Sequence, residues 1–210
     1  MNSFFRIDGP VYNVLMKLWS LLVLNLCILI GSIPIITIGV TISAAYSVCF
    51  KLQEANDTRI LGNFILAYKQ NFKQAIGFSI LQTMVFFIVL VDLNYMIHSE
   101  QKNVIGLIGV SIVGLILLLS SQYTYGYIAR FRDSARSIFM NSMKLFIANF
   151  WMSVILSLIT LFLFVLVGTS PIAFVFILFI SIFIGCSFLI FLKSLLVLSV
   201  FKKYELSKER

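Results

Sequence analysis

Long apolar runs separated by short basic segments set the pattern of this chain. The first run begins near Val14 and carries Lys17 close to its start. No further charge appears before Lys51, so 33 uncharged residues lie between the two lysines. A single span needs about 20 apolar residues. The interval therefore holds either one long kinked helix or two short spans of about 16 residues each, whose lysines snorkel to the interface. Pro34 sits near its middle, with Gly31 before it and Thr37 and Gly39 after it. Proline lacks the N–H that continues a helix and its ring crowds the preceding turn, so Pro34 turns the chain or kinks it.

Counting Pro34 as a turn, the apolar runs predict membrane segments over 14–33, 35–52, 76–97, 104–129, 149–167 and 172–192. Two intervening stretches read differently. Ile60, Leu61, Phe64, Ile65, Tyr68 and Phe72 recur at helical spacing within 58–75, and Phe139, Met143, Phe146 and Ile147 do so within 134–148. Polar and basic residues occupy most of the other positions, which predicts amphipathic helices on the membrane surface. The fold class is all-α. It is a polytopic transmembrane helical bundle of five to six membrane segments with two cytoplasmic amphipathic helices, one domain over 1–210. A weak internal echo accompanies it. Asn71-Phe72 and Asn149-Phe150 each precede an apolar run, and Gly31-Ser32-Ile33-Pro34 is similar to Gly168-Thr169-Ser170-Pro171.

Composition sharpens the class. The chain is 60% hydrophobic and 11% charged, against about 25% charged in soluble domains. Lipid is therefore the solvent for much of its surface. The net charge of +8 is carried by clusters between the apolar runs. That placement fits orientation by basic loops and contact with anionic head groups, and no aromatic-basic motif suggests nucleic acid. If Pro34 turns the chain, every Lys and Arg except Lys102 falls on the cytoplasmic side. If 18–40 is one kinked span, Arg6 and Lys17 join Lys102 outside. The turn satisfies the rule better. Both versions put the C-terminus in the cytoplasm and the protein in the cell membrane, with the bilayer as its first partner.

Candidate chemistry is sparse. Cys27, Cys49 and Cys186 lie apart inside apolar runs and read as small packing residues. His98 is the sole histidine, without acids or thiols at ligand spacing. No catalytic residue, metal site or cofactor is predicted, and the chain does not read as an enzyme. Asp92 is the one acid well inside an apolar run. It is a candidate for proton or cation coupling, or an interfacial acid paired with Asn94, Lys102 or a head group. Asn25, Gln82 and Gln122 are polar positions suited to bonds between helices. Asn71 and Asn149 are placed to cap or turn helices. The Thr37 hydroxyl is placed to bond backbone freed at Pro34.

Ile33-Pro34-Ile35-Ile36-Thr37-Ile38-Gly39, followed by Ala44-Ala45-Tyr46, resembles the Leu-Pro-x-x-Thr-x-Gly motif of the bacterial YesL-like membrane proteins. That family is defined by a domain of unknown function. Asn25, Asp8-Gly9-Pro10 and the stretch Ala67 to Ala75, which contains Asn71-Phe72, are similar too. Ile33 stands where the family has Leu, a volume-conserving change. The resemblance runs to about residue 100. It implies a multi-pass protein encoded near carbohydrate-uptake systems, and hence a non-enzymatic accessory or regulatory role beside a carbohydrate importer or another membrane protein. The alternative is a small solute or ion transporter that uses the Pro34 break and Asp92.

Overall fold

A computed structural model describes residues 10–98 and 104–208. They form an all-α bundle, with no strand among the described residues. In chain order the helices are α1 (Pro10–Gly31), α2 (Ile38–Glu54), α3 (Ile60–His98), α4 (Val104–Arg130), α5 (Ala135–Ala148), α6 (Phe150–Thr169), α7 (Pro171–Ile180) and α8 (Cys186–Lys208). A 3-10 turn, Ile35–Thr37, precedes α2, and a π turn, Ser181–Gly185, joins α7 to α8.

Pro34 reverses the chain. Helix α1 stops at Gly31, Pro34 is extended at φ −78° and ψ 117°, and the 3-10 turn starts immediately after it. Helix α2 then folds back, placing Ala44, Ala45, Val48 and Cys49 against Leu24, Cys27 and Ile28 of α1. The small alanine side chains let the backbones approach closely, which is how helices pack where no water drives them together. Each arm, Val14–Gly31 and Ile35–Glu54, is long and apolar enough to cross a membrane. The second arm is 67% buried and the first 33%, so α2 is the axis around which the bundle is built.

The expected surface helix over 58–75 and the expected span over 76–97 are one helix. Helix α3 runs unbroken for 39 residues, about 58 Å at 1.5 Å per residue. No proline interrupts it. Ile60, Phe64 and Ala67 pack on α1 and α2, while Leu61 and Ile65 remain exposed. The predicted end of the last span at 192 is also not a helix end. From Pro171 the chain stays helical through Lys193 to Lys208. The bend between 134–148 and 149–167 is present, with α5 and α6 meeting at 97°. Asn149 makes this corner: at φ −124° and ψ 46° it leaves the helix. Its backbone N–H and its side chain both bond the Leu145 carbonyl, at 3.0 and 3.2 Å.

Among the described residues four helical stretches are long and apolar enough to cross a membrane: Val14–Gly31, Ile35–Glu54, Ile60–Met96 and Pro171–Glu205. The bent pair α5–α6 makes a fifth if counted as one span. Large apolar side chains such as Trp151 and Ile172 are about four-fifths exposed, as suits a surface solvated by lipid. The main core lies where α2, α4, α5, α6 and α8 meet, around Tyr123, Ile138, Leu156 and Phe201.

Candidate functional site

The motif residues converge on backbone that the helices leave unpaired. Asn25 is fully buried in α1. Its Nδ2 donates to the carbonyls of Ser181 (3.0 Å) and Ile182 (2.7 Å), and its Oδ1 accepts the Ser187 N–H (3.0 Å). Those groups belong to the π turn and the first turn of α8, where the α-helical ladder is interrupted. In lipid an open turn has no water to satisfy it. One carboxamide, with two donors and one acceptor, does so here.

Thr37 performs the same task at the Pro34 reversal. Its hydroxyl lies 2.8 Å from both the Gly31 and Pro34 carbonyls, and the Pro34 carbonyl also accepts the Thr37 N–H at 2.9 Å. Gly39 is buried at the crossing of α2 with α3 and α4. Its N–H donates to Ser79 Oγ at 3.2 Å. A methyl there would sit 2.5 Å from Tyr125 Cε1, so any larger residue forces the Tyr125 ring or the helices to shift. Tyr125 in turn donates to Gln82 Oε1 at 2.8 Å. Tyr46 is buried in the main core beside Phe50, ring centres 5.8 Å apart.

Asn71 does not cap or turn a helix. It lies in mid-α3 and donates to Ser47 Oγ at 3.3 Å, while Ser47 donates to the Ala129 carbonyl at 3.0 Å, so α2, α3 and α4 are tied together. Phe72 is 39% exposed and touches Tyr68, ring centres 5.9 Å apart. The two Asn-Phe pairs of the sequence echo therefore occupy different local structures.

Asp92 is exposed on α3 and has no hydrogen-bond or ion-pair partner among the described residues. It stands 13 residues beyond Ser79, the residue that meets Gly39, about 20 Å along the helix. The Pro34 break and Asp92 thus form no common site. Lys102, one of its candidate partners, lies outside the described residues. His98 bonds the Asn94 carbonyl within its own helix, at 2.9 Å. No group of three His, Cys, Asp or Glu side chains able to hold a metal occurs among the described residues.

The charged end of the bundle is tied by ions. Arg130, at the end of α4, donates to Glu205 of α8 (2.6 and 3.0 Å) and to Glu54 of α2 (3.0 Å). The bonds it donates to Glu205 in particular hold its guanidinium more firmly charged than usual. Tyr127 donates to Asp133 at 2.6 Å, and Gln74 of α3 donates to the Asp133 carbonyl at 2.7 Å. In the α2–α3 loop, Asn56 takes a left-handed φ of 49° and ends α2. Asp57 accepts from Asn63 and from the Arg59 backbone and side chain, which lowers its carboxyl to about 2.

The site that sequence reasoning missed is Lys193. The predicted span 172–192 stops just before it. In the structure it lies inside α8, eight residues after the π turn, and is largely buried. Its ammonium donates to Gln122 of α4 at 2.9 Å and Thr160 of α6 at 2.7 Å. Among the described residues no carboxylate lies within ion-pair distance of it. The sequence did carry a signal: Ser194 to Phe201, uncharged and largely apolar, separates Lys193 from the next charge, Lys202.

Comparison with known proteins gives a match over part of the chain and no activity. No curated protein and no solved structure matches the chain. Residues 15–93, which hold the Pro34 motif, Asn25, Asn71 and Asp92, match the family described as "Protein of unknown function, DUF624".

Proposed function

We propose that this is a non-enzymatic, multi-pass protein of the cell membrane, with its C-terminus in the cytoplasm. Its role is that of an accessory or regulatory component of carbohydrate uptake. One observation carries the non-transport part of this reading: the polar groups of the motif are engaged with the protein's own helices. Asn25 bonds two carbonyls of the π turn and the Ser187 N–H, Thr37 serves the Pro34 reversal, and the Gly39 N–H is taken by Ser79. A substrate path would need such groups turned toward a cavity. The link to carbohydrate uptake rests on the resemblance to YesL-like proteins.

The test is purification of the intact protein in mild detergent, with mass spectrometry of what accompanies it, and reconstitution of the protein alone into liposomes. The reading expects subunits of a carbohydrate importer in the first experiment and no solute or ion flux in the second. Flux by the purified protein, with no partner recovered, would replace it with the transporter reading.

A further inference from the structure

We propose that the α1–α2 hairpin does not cross the membrane. It enters from the side that holds Lys17 and Lys51, turns at Pro34 near the middle of the bilayer, and returns to the same side. The register against α3 carries this. Lys51 bonds Asn63 (3.0 Å), Asn71 bonds Ser47 (3.3 Å) and the Gly39 N–H bonds Ser79 (3.2 Å), so α2 descends beside α3 as an antiparallel neighbour. The reversal is tight, because Gly31 meets the Thr41 side chain across it. Its tip therefore stands little more than a helical turn beyond Ser79. Helix α3 continues 19 residues past Ser79 to His98, about 28 Å. There its neighbour is α4: Gln82 accepts from Tyr125, and Gly114 faces Val89. The reach of α3 thus exceeds that of the hairpin by about 20 Å or more, against a hydrocarbon layer of about 30 Å. The Pro34 turn and the far ends of α3 and α4 cannot share one face of the bilayer.

Two further observations say which of them lies inside the lipid. Lys69 and Lys73 are exposed on α3, ten and six residues before Ser79, about 15 and 9 Å along the helix. Exposed lysines mark the plane where side chains reach water, and the tip stands only about 15 Å from it. The tip itself is apolar. Ile30, Ile33, Ile35 and Ile36 are each more than half exposed, a surface that suits lipid and not an aqueous loop. The backbone is prepared for that solvent as well. The N–H groups of Ser32, Ile33, Thr37 and Ile38 bond the carbonyls of Ile28, Ile30, Pro34 and Ile35, the Thr37 hydroxyl serves Gly31, and Pro34 has no N–H to satisfy. Such internal pairing is what a break in the helix needs where water is absent.

The test is site-directed spin labelling of the full-length protein in liposomes, at Ile33→Cys, Ile36→Cys, Lys17→Cys and Tyr95→Cys, with the wild type as the blank for its own cysteines. All four positions are exposed, so a label there leaves the packing intact, and the two tip variants check each other. Relaxation by dissolved oxygen, which enters lipid, is compared with relaxation by a water-soluble nickel chelate. The labels at 33 and 36 are expected to respond to oxygen, to lose the chelate response that the label at 17 shows, and to lie about 15 Å deep, half the hydrocarbon thickness. The label at 95, some 24 Å beyond Ser79 along α3, should respond to the chelate more than either. A chelate response at 33 and 36 equal to that at 17 would put the turn in water and overturn the proposal. So would reaction of Ile33→Cys with a membrane-impermeant maleimide added to the outside of intact cells, which would make α1 and α2 two complete spans.

Discussion

Asn25 and Ser187 stand 162 positions apart in the chain, yet the Asn25 side-chain oxygen accepts the Ser187 backbone N–H at 3.0 Å. Together with the bonds to the Ser181 and Ile182 carbonyls, this contact fastens α1 to the opened turn ahead of α8. Bonds of this kind within membranes average ~0.6 kcal/mol, so Asn25→Ala should destabilise the protein by about 2 kcal/mol. Asn25→Asp should be worse, because an oxygen then faces two carbonyl oxygens where an amide donated. Thermal unfolding of the purified variants in detergent checks both, and an Asp variant as stable as the wild type would refute the assignment.

Gly39→Ala brings a methyl to 2.5 Å from Tyr125 Cε1 and 2.8 Å from Ser79 Cβ. Overpacking of this sort costs about 1–3 kcal/mol. Because the obstacle is largely one ring, adding Tyr125→Ala should give a double variant more stable than the sum of the two single losses. Strict additivity in denaturation midpoints would show that the crossing does not depend on this contact.

Arg130 joins α2, α4 and α8 through Glu54 and Glu205, whose side chains are 34% and 36% exposed. Solvent discounts the pairs, leaving about 1–2 kcal/mol for Arg130→Gln. Arg130→Lys should recover less than half of this, since an ammonium lacks the fork that serves two carboxylates. Part of the loss should disappear at high salt in the same unfolding assay.

Asp57 supplies a pH signature. Its folded-state carboxyl is lowered to about 2 from 3.8, chiefly by the Asn63 hydrogen bond and then by Arg59. A depressed carboxyl adds stability that is complete above its unfolded value and is lost as pH falls through the folded one. The difference in melting temperature between wild type and Asp57→Asn should thus be constant at neutral pH and shrink between about pH 4 and pH 2. A difference that grows on acidification contradicts the loop geometry.

The apolar runs made the helical, membrane-spanning class legible, because lipid imposes length and composition on every segment that meets it. The reversal at Pro34 was legible as well, since proline at mid-run has few structural outcomes. Polarity patterning misled in two places. The polar and basic positions within 58–75 suggested a surface helix separate from the span 76–97, but without a proline or an open backbone corner α3 simply continues. Asn149, followed by Phe as Asn71 is, does break its helix. The apolar run ending at 192 likewise did not show that α8 continues past Lys193 to Lys208. The partners of Asn25 and of Lys193 were not legible at all. Each pairing spans tens to more than a hundred residues, and sequence spacing describes only neighbours on one helix.

Amide hydrogen exchange at Ser187, followed by mass spectrometry in the wild type and Asn25→Ala, tests most directly the claim that the motif's polar groups serve the fold. The account predicts a protected Ser187 amide in the wild type and exchange faster by about tenfold or more in the variant, with Ala129 and its neighbours in α4 unchanged. Equal protection of Ser187 in both proteins would contradict it and free Asn25 for another task.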